Sequence, residues 1–320
     1  MNTYGGNIKV FSCNANIELA QAIAKCLGLK LGVSEVSRFS DGEISIRIDE
    51  TIRGADVFIV QPTSHPVNEN IMELLIMTDA MRRASAGRIT AVMPYYGYAR
   101  QDRKARARDP ISAKLVADIL TTAGVDRVLT MDLHSDQLQG FFDIPVDHLR
   151  GMPLFAKYCK ERFPDMSNVI AVSPDLGSVA RARSFAGRLN IPLAIVDKRR
   201  PKPNVSEVMN IIGEVEGKQV ILIDDMADTA GSLTGAAKAL VEHGAVSVYA
   251  CCTHAILSGP ALEKLENSPI KELIVLDTIK LPTEKLERLS GKIKVLTVSH
   301  IFADAISRIH DGLSVSTLFS

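Results

Sequence analysis

The strongest chemical signal in the sequence lies in the stretch VILIDDMADTAGSLTGAAKAL, at residues 220–240. The apolar residues from Val220 to Ile223 are typical of a strand that is buried on both faces of a parallel sheet. The alanine-rich run from Leu233 to a stop at Gly244 predicts a helix. The polar residues between them therefore form a strand-to-helix turn at the carboxyl end of a strand, where open α/β sheets bind their ligands.

This turn has an acidic half and a small-residue half, which consist of Asp224, Asp225 and Asp228, and of Thr229, Ala230, Gly231 and Ser232. In the small-residue half, backbone N–H groups and two hydroxyls are able to face an anion at the positive end of the helix. The carboxylates would repel that anion, so we expect them to hold hydroxyl groups or a metal ion beside it. The turn predicts a phosphorylated sugar as ligand, and the alternative is a capped turn with solvated carboxylates.

Three other polar segments carry candidate functional residues. The segment YYGYARQDRKARARDP, at 95–110, predicts a loop that closes over a polyphosphate, because arginine makes bidentate contacts to phosphate oxygens. A solvated linker or a nucleic-acid patch is the alternative for this segment. The cluster KRRPKP, at 198–203, is not helical because of its prolines, and it is suited to stabilising charge on phosphoryl oxygens. The segment SRFSDGEISIRI, at 37–48, by itself predicts an ordinary hairpin.

The sequence signal for a metal site is weaker than the signal for the central turn. His134 lies beside carboxylates in DLHSDQLQGFF, and a lone histidine is more often a structural residue. Paired with Asp175, it would suit a sparse Mg²⁺ site, because Mg²⁺ keeps its waters and takes oxygens from substrate phosphates. The sequence contains no GxxxxGK[ST], GxGxxG or HExxH motif, so any nucleotide is bound by other means.

The elements that position these residues alternate along the chain. Strand-like runs separated by helical segments predict an α/β fold with parallel sheets covered by helices. The strands are expected at 8–11, 57–60, 89–94, 127–131, 168–172, 192–196, 219–223, 247–252 and 272–276. A helix is expected to begin after Asp109-Pro110 and to end at Gly124. A boundary near 145–152 predicts two domains of similar size, 1–148 and 149–320.

Composition excludes several classes of protein. The 37 basic and 37 acidic residues balance, so no global field attracts nucleic acid or a membrane surface. The apolar runs are all shorter than 18 residues, and the start MNTYGGNIKVF lacks the layout of a signal peptide. We therefore expect a cytoplasmic protein with no nucleic-acid or membrane partner. The 5 cysteines, without a CxxC motif, predict buried reduced thiols.

Taken together, six ordered segments resemble ribose-phosphate diphosphokinase, also called phosphoribosyl pyrophosphate synthetase, of the phosphate-activated class. These segments are FSDGE (39–43), YARQDRK (98–104), DLH…QLQGFFDIPVDHL (132–149), SPD (173–175), KRRP (198–201) and DDMADTAGS (224–232). The resemblance covers nearly the whole chain, through SVSTLF at 314–319. It implies two type I phosphoribosyltransferase-like domains, each with a mostly parallel sheet flanked by helices. It also implies that the second domain keeps the phosphoribosyl-binding loop and that the last residues are able to pack on the N-terminal domain.

The resemblance implies a Mg²⁺-dependent reaction in which the 1-hydroxyl of ribose 5-phosphate attacks the β-phosphorus of ATP and AMP leaves. The implied ATP contacts are Phe39, Asp41, Gly42, Glu43, Arg100, Gln101, Asp102 and Lys104. The implied metal residues are His134 and Asp175, and the implied transition-state pair is Lys198 and Arg200. The implied ribose 5-phosphate site consists of Arg200, Asp224, Asp225, Asp228, Thr229, Ala230, Gly231 and Ser232.

The resemblance further implies a homohexamer built from dimers, activation by inorganic phosphate and inhibition by ADP. The implied allosteric residues are Arg47, Arg82, Ser314 and Ser316. The chain departs from the residues usual in the family at Ser135, Ser178, Ser232 and Ala255. Ser232 keeps a hydroxyl, whereas Ser178 stands where the family often has glycine, next to the expected ribose and metal sites.

Three alternative functions remain at this point. A catalytically weak regulatory subunit is disfavoured by the intact Lys198, Arg200 and His134. A phosphoribosyltransferase that consumes the activated sugar is disfavoured by the second domain and the RQDRK loop. A nucleic-acid-binding regulator is disfavoured by the zero net charge.

Overall fold

A computed structural model describes residues 6–199 and 208–319. The first half of the chain contains strands β1 Ile8–Ser12, β2 Ser34–Arg38, β3 Ile44–Ile48, β4 Asp56–Val60, β5 Arg88–Met93, β6 Arg127–Met131 and β7 Val146–Leu149, with helices α1 Ile17–Cys26, α2 Val67–Arg83 and α3 Ser112–Ala123. The second half contains strands β8 Val169–Ser173, β9 Leu193–Arg199, β10 Val208–Ile212, β11 Gln219–Ala227, β12 Ser247–Ala255, β13 Ile270–Leu276 and β14 Ile293–Leu296, with helices α4 Met152–Arg162, α5 Val179–Leu189, α6 Gly231–Glu242, α7 Ala261–Glu266, α8 Thr283–Arg288 and α9 Ser299–Asp311. Short 3-10 helices occupy Asp136–Phe141 and Ser316–Leu318.

The chain divides into two compact units. The first consists of Met1–Arg150, Thr278–Lys280 and Thr297–Ser320, and the second consists of Gly151–Asp277 and Leu281–Leu296. This division falls close to the expected boundary between 148 and 149. It differs from the expected domain 149–320 in that the C-terminal residues, with α9, group with the first unit.

Each unit is built around a mostly parallel sheet. Within the described residues, the strand order is β1-β4-β5-β6-β7 in the first unit, where all pairs are parallel, and β2 and β3 form a separate antiparallel hairpin. The order in the second unit is β10-β9-β8-β11-β12-β13-β14, and only the edge pair β10–β9 is antiparallel. The α/β fold with mostly parallel sheets flanked by helices is confirmed. Within each sheet, the carboxyl ends of the parallel strands share one edge, which is where ligands bind in such folds.

The nine predicted strands coincide with strands of the structure. The expected helix at 110–124 is α3, which ends at Gly124 with a left-handed φ of 112°. The strands at β7, β10 and β14 were not predicted. They are edge strands of four or five residues, and although His148 and Leu149 of β7 are buried, none of the three has the long apolar run of a central strand.

The central strands supply the two hydrophobic cores. Every residue of β4, β5 and β12 is buried, which matches strands covered by helices on both faces. Cys13, Cys159, Cys251 and Cys252 are buried as expected, and burial raises the pKa of the thiols of Cys13, Cys251 and Cys252. The expectation is wrong for Cys26, which is exposed at the end of α1.

Candidate functional site

The acidic half of the central turn belongs to β11. The strand does not end at Ile223, as the sequence indicated, but continues to Ala227, because its pairing with β12 runs on to Ala255. Asp224 and Asp225 therefore lie at the end of a central strand, and they are only 8% and 4% exposed. Two adjacent buried carboxylates are costly to a fold unless they have a role, so they mark a candidate site.

A hydrogen-bond network joins these carboxylates to the loop that follows β8. The Ser178 hydroxyl donates to Asp224 Oδ1 over 2.7 Å, and the Asp225 backbone N–H donates to the same oxygen over 2.9 Å. The Ser178 backbone N–H donates to Asp175 Oδ1 over 3.0 Å. Arg181 Nη1 lies 3.6 Å from Asp225 Oδ1 and balances part of the charge. Asp175, which was predicted as a metal residue, is thus brought together within the second unit with Asp224 and Asp225, which were predicted to bind ribose 5-phosphate.

The electrostatics of this cluster are unusual. Burial, and next the neighbouring charge of Asp225, raise the pKa of Asp224 to about 7 from an ordinary value of 3.8. The hydrogen bond from Ser178 acts in the opposite direction. A carboxyl group that titrates near neutral pH beside other carboxylates is typical of binding and catalytic sites.

The small-residue half leads directly into α6. Ala230 is buried and has a left-handed φ of 56°, and the helix begins at the next residue, Gly231. The N-cap residue, Ala230, makes no side-chain capping bond, and the N–H groups at the start of this helix are donors that suit an anion. Thr229 and Ser232 are exposed beside these groups and offer two hydroxyls.

The segment at 257–258 stabilises the turn between β11 and α6 through hydrogen bonds. The Ser258 hydroxyl donates to the Asp228 carboxylate, and the Ser258 backbone N–H donates to the Asp228 carbonyl over 2.9 Å. The Leu257 N–H donates to the Ala227 carbonyl, also over 2.9 Å. Asp228 therefore shapes the loop as well as carrying charge, which the sequence pattern alone did not indicate.

A lysine that the sequence reading missed also lies here. Lys264 Nζ, on α7, is 3.4 Å from the point that a Cβ atom on Gly231 would occupy. This places a cation at the start of α6, beside the candidate anion site. Lys264 is far along the chain in an exposed helix, so its spacing carried no signal.

In the first unit, the predicted hairpin is confirmed as β2–β3. Phe39 is 59% exposed, and Asp41 Oδ1 accepts the Glu43 backbone N–H over 3.1 Å. Gly42 has φ 97°, a conformation that favours glycine in this tight turn. The hairpin tip therefore presents an aromatic ring and two acidic residues to solvent.

The segment after β5 lines a cavity of about 770 Å³ within the same unit. Its lining residues are His65, Pro66, Val67, Asn68, Glu69, Tyr95, Gly97, Tyr98, Arg100 and Gln101. A Cβ atom on Gly97 would lie 2.4 Å from the Thr63 carbonyl oxygen, so only glycine fits there. Arg100 and Gln101 are exposed at the rim, whereas the residues from α2 were not expected from the sequence.

Asp102 connects this loop to the segment that contains His134. Its Oδ2 accepts the Ser135 hydroxyl over 2.8 Å and lies 3.5 Å from Gln137 Nε2. Ser135, one of the departures from the family, thus anchors the loop. His134 itself is exposed, and Lys104 is exposed farther along the loop.

The predicted metal pair stays a prediction. His134 belongs to the first unit and Asp175 to the second. In the part of the chain that the structure describes, no group of three or more His, Cys, Asp or Glu residues is arranged to hold a metal ion. The Mg²⁺ site that we expect has only two protein ligands, so it would not form a group of three.

The remaining predicted residues are described only in part. Lys198 lies near the end of β9, where its backbone pairs with Met209, and Arg200 lies outside the described residues. Arg47 is exposed and forms ion pairs with Glu35 and Asp49 at 3.0 and 2.9 Å.

The other implied allosteric residues are Arg82, Ser314 and Ser316. Arg82 packs against Gly124, and the hydroxyls of Ser314 and Ser316 lie 2.8 Å apart. Their role stays a prediction.

Buried carboxylates next to a helix start, at the carboxyl edge of a mostly parallel sheet, are typical of α/β proteins that bind phosphorylated ligands. Among the described residues, no helix is long and apolar enough to cross a bilayer.

Comparison with known proteins narrows this class to a family. The N-terminal domain of ribose phosphate pyrophosphokinase matches residues 8–124, and the phosphoribosyl synthetase-associated domain matches residues 198–320. The ribose-phosphate pyrophosphokinase of Clostridium tetani is 64% identical over 98% of this chain and 97% of that relative, and that of Caldanaerobacter subterraneus subsp. tengcongensis is 62% identical over the full length of both. The crystal structure of phosphoribosylpyrophosphate synthetase from Mycobacterium smegmatis is 42% identical with a TM-score of 0.90, over 96% of this chain and 99% of that one. The chain therefore belongs to the ribose-phosphate pyrophosphokinase family of enzymes.

Proposed function

We propose that the protein transfers the β,γ-diphosphoryl group of ATP to the 1-hydroxyl of ribose 5-phosphate, which gives 5-phosphoribosyl 1-diphosphate and AMP for nucleotide biosynthesis. The observation that carries this proposal is the juxtaposition of the buried Asp224 and Asp225 with the start of α6, whose N-cap residue is an alanine. A sugar phosphate needs acceptors for its hydroxyls and donors for its phosphate, and this turn offers both within a few residues.

The sugar is held at both ends. Asp224 and Asp225 accept hydrogen bonds from ribose hydroxyls, while the N–H groups of α6 and the hydroxyls of Thr229 and Ser232 bind the 5-phosphate. The positive end of the α6 dipole adds to this attraction. Holding the sugar in this way fixes its 1-hydroxyl for attack, which supplies much of the rate enhancement in a reaction between two anions.

The nucleotide side of the proposal rests on the first unit. The cavity beside Arg100 and Gln101 has room for a base, and the arginine suits polyphosphate oxygens. The exposed Phe39 at the hairpin tip is available for stacking. The Asp102 carboxylate accepts a hydrogen bond from the Ser135 hydroxyl, which links the loop that carries Arg100 and Gln101 to the segment that carries His134.

The transfer makes a bond between the 1-oxygen of ribose and the β-phosphorus, and it breaks the bond between that phosphorus and the oxygen that leaves with AMP. Lys198 and Arg200 stabilise the charge that develops on the phosphoryl oxygens. Mg²⁺, for which Asp175 and His134 are the candidate ligands, neutralises polyphosphate charge when it is bound. The half-buried carboxylate of Asp175 fits this cation, because Mg²⁺ prefers oxygen ligands.

The proposal extends to regulation and assembly. We place the protein in the cytoplasm, as a homohexamer built from dimers that is activated by inorganic phosphate. Arg47, Arg82, Ser314 and Ser316 are the proposed allosteric residues.

The test is direct. The purified protein is incubated with ATP, Mg²⁺, ribose 5-phosphate and inorganic phosphate, and phosphorus NMR follows the products. We expect AMP and a 1-diphosphorylated sugar in equal amounts, without ADP. Formation of ADP would contradict diphosphoryl transfer, and base-dependent release of pyrophosphate from the activated sugar would favour a phosphoribosyltransferase.

Lys264 gives a second test of the sugar site. Because its ammonium lies beside the start of α6, Lys264→Gln is expected to raise the KM for ribose 5-phosphate roughly three- to tenfold, the effect of a partly exposed charge on a phosphate dianion. The kcat and the KM for ATP are expected to stay unchanged, and Lys264→Arg is expected to retain most of the affinity. Lys271→Gln, which removes an exposed lysine from β13, is the matched control. Equal behaviour of the two glutamine variants in steady-state kinetics would rule out the contact.

A further inference from the structure

Ser178 is placed unusually for a serine that begins a helix. It is the N-cap residue of α5, a position where a serine hydroxyl ordinarily accepts a hydrogen bond from the first turn of its own helix. Within the described part of the chain, this hydroxyl makes no such bond and instead donates to Asp224 Oδ1 over 2.7 Å. The side chain therefore gives up a local stabilising contact in favour of one to a residue of the neighbouring strand.

The contact determines which oxygen of Asp224 is available. Oδ1 receives both the Ser178 hydroxyl and the Asp225 backbone N–H, at 2.7 and 2.9 Å. The two donors fix the plane of the carboxylate, because a second rotamer would break both bonds at once. Both donors bond to Oδ1 and neither bonds to Oδ2, so Oδ2 has capacity to accept a ligand hydroxyl; the neighbouring Asp225 carboxyl is also in hydrogen-bonding contact with the Asp224 carboxyl group.

Ser178 also ties this carboxylate to the preceding loop. Its backbone N–H donates to Asp175 Oδ1 over 3.0 Å, while its own carbonyl accepts the Ala182 N–H within α5 over 2.9 Å. The residue is only 4% exposed, so its position is set by packing on all sides. A single rigid residue thus holds two acidic side chains, one from the loop after β8 and one from strand β11, in a fixed relation.

We propose that Ser178 is a positioning residue for sugar recognition: it occupies one oxygen of Asp224 and directs the other to a single ribose hydroxyl. This inference rests on the proposed function, in which Asp224 holds the ribose. The family often has glycine at this position, so this positioning of Asp224 by a serine hydroxyl would be a property of this chain. It predicts that Asp224 accepts one sugar hydroxyl and not a bridging pair.

The first experiment separates binding from turnover. Ser178→Ala removes the hydroxyl and leaves the backbone contact to Asp175. It is expected to raise the KM for ribose 5-phosphate about five- to fifteenfold, the loss expected for a hydrogen bond to a charged group, with kcat and the KM for ATP within a factor of two. Ser178→Gly leaves room for one water molecule that is able to donate to the same oxygen, so a smaller increase is expected.

The matched control is Ser173→Ala. Ser173 is a buried serine in the same region, and its hydroxyl donates to the Asp175 backbone carbonyl over 2.6 Å and not to Asp224. This variant is expected to leave the KM for ribose 5-phosphate unchanged. An equal increase in both alanine variants would indicate a general structural effect and would overturn the inference.

The second experiment uses substrate analogues to find the hydroxyl. The binding of ribose 5-phosphate, 2-deoxyribose 5-phosphate and 3-deoxyribose 5-phosphate is measured by calorimetry for the wild type and for Ser178→Ala. The five- to fifteenfold loss is expected to disappear for the one analogue that lacks the hydroxyl held by Asp224, because the variant then has no bond left to weaken. The same loss with all three sugars would overturn the inference.

A failure of the positioning role of Ser178 can be told apart from a failure of the proposed function. If the wild type forms no AMP and no activated sugar, the proposed function fails before any variant is compared. If the wild type is active but Ser178→Ala matches it with every sugar, only the positioning role fails.

Discussion

Replacing Asp224 with asparagine is expected to lower kcat/KM for ribose 5-phosphate by roughly 100-fold or more while it stabilises the fold at neutral and higher pH. The amide removes the negative charge and places an NH₂ group where the sugar hydroxyls need an acceptor, and a site built to bind a hydroxyl is strongly impaired when its partner is mismatched. The gain in stability has a separate cause, which is the burial of Asp224 next to Asp225. Activity and stability therefore change in opposite directions.

The sign of the pH dependence follows from the pKa of Asp224, which is raised from 3.8 to about 7 by burial and then by Asp225, with Asp175 adding to the shift. Below pH 3.8 the carboxyl group is protonated in both the folded and the unfolded chain, so it does not affect the free energy of unfolding. Between 3.8 and about 7 the folded chain keeps a proton that the unfolded chain has lost, and stability falls as the pH rises. Above about 7 the loss is complete, because both states are ionised. Asparagine removes this loss, so the stabilisation should be small near pH 4 and largest above pH 7.

Thermal unfolding of the wild type and of Asp224→Asn at pH 4.5 and pH 8, without Mg²⁺ or nucleotide, measures this difference. Asp165→Asn is the control, because Asp165 is an exposed acid whose pKa is lowered by hydrogen bonds from Ser167. Neutralising that residue should not raise Tm at either pH. An equal shift of Tm for Asp224→Asn at both pH values would contradict the electrostatic explanation.

The parallel sheets were predictable because buried strands have continuous apolar runs. VFIV and QVILI identified β4 and β11, and the polar residues that follow such runs lie at the carboxyl ends of the strands, as expected. The end of β11 was not predictable, since aspartates disfavour strands and only the pairing with β12 extends it to Ala227. Local propensity was overridden by tertiary contacts at the site itself.

Contacts between distant segments were beyond the reach of sequence spacing. The Ser178–Asp224 hydrogen bond joins the loop after β8 to strand β11, while Lys264 reaches Gly231 and Ser258 reaches Asp228 from a later segment. Residues of α2 that line the first-unit cavity, such as Asn68, lie in the stretch PTSHPVNEN, which has the composition of an ordinary turn. Each of these residues is polar and common on surfaces, so its role depends on where the fold places it.

The grouping of the last residues with the first unit was implied by the resemblance, but the buried cluster of charges that connects α9 to this unit was not predicted. Arg88, at the start of β5, donates from Nε to Asp56 Oδ1 over 2.8 Å and from Nη2 to Oδ2 over 2.5 Å. His310 Nδ1, on α9, lies 2.8 Å from the same Oδ2, and Arg88 Nη2 donates to the Ile309 carbonyl over 3.3 Å. Asp56 is 1% exposed and Arg88 is 5% exposed, so the pair is screened from water. Asp56 and Arg88 therefore connect the central sheet of the first unit to the C-terminal helix.

Asp56→Ala is expected to lower the free energy of unfolding of the first unit by about 3–5 kcal/mol, because it leaves the buried Arg88 guanidinium without its counter-charge. The same change should raise hydrogen exchange in α9, since His310 loses its partner. Urea unfolding measures the first effect, and Asp79→Ala, which breaks the exposed pair with Arg83 on α2, should show no measurable change. The double variant Asp56→Leu/Arg88→Met removes both charges, so it should be more stable than Asp56→Ala alone. If the double variant were the less stable of the two, the loss would arise from packing, and the missing carboxylate opposite Arg88 would not be its cause.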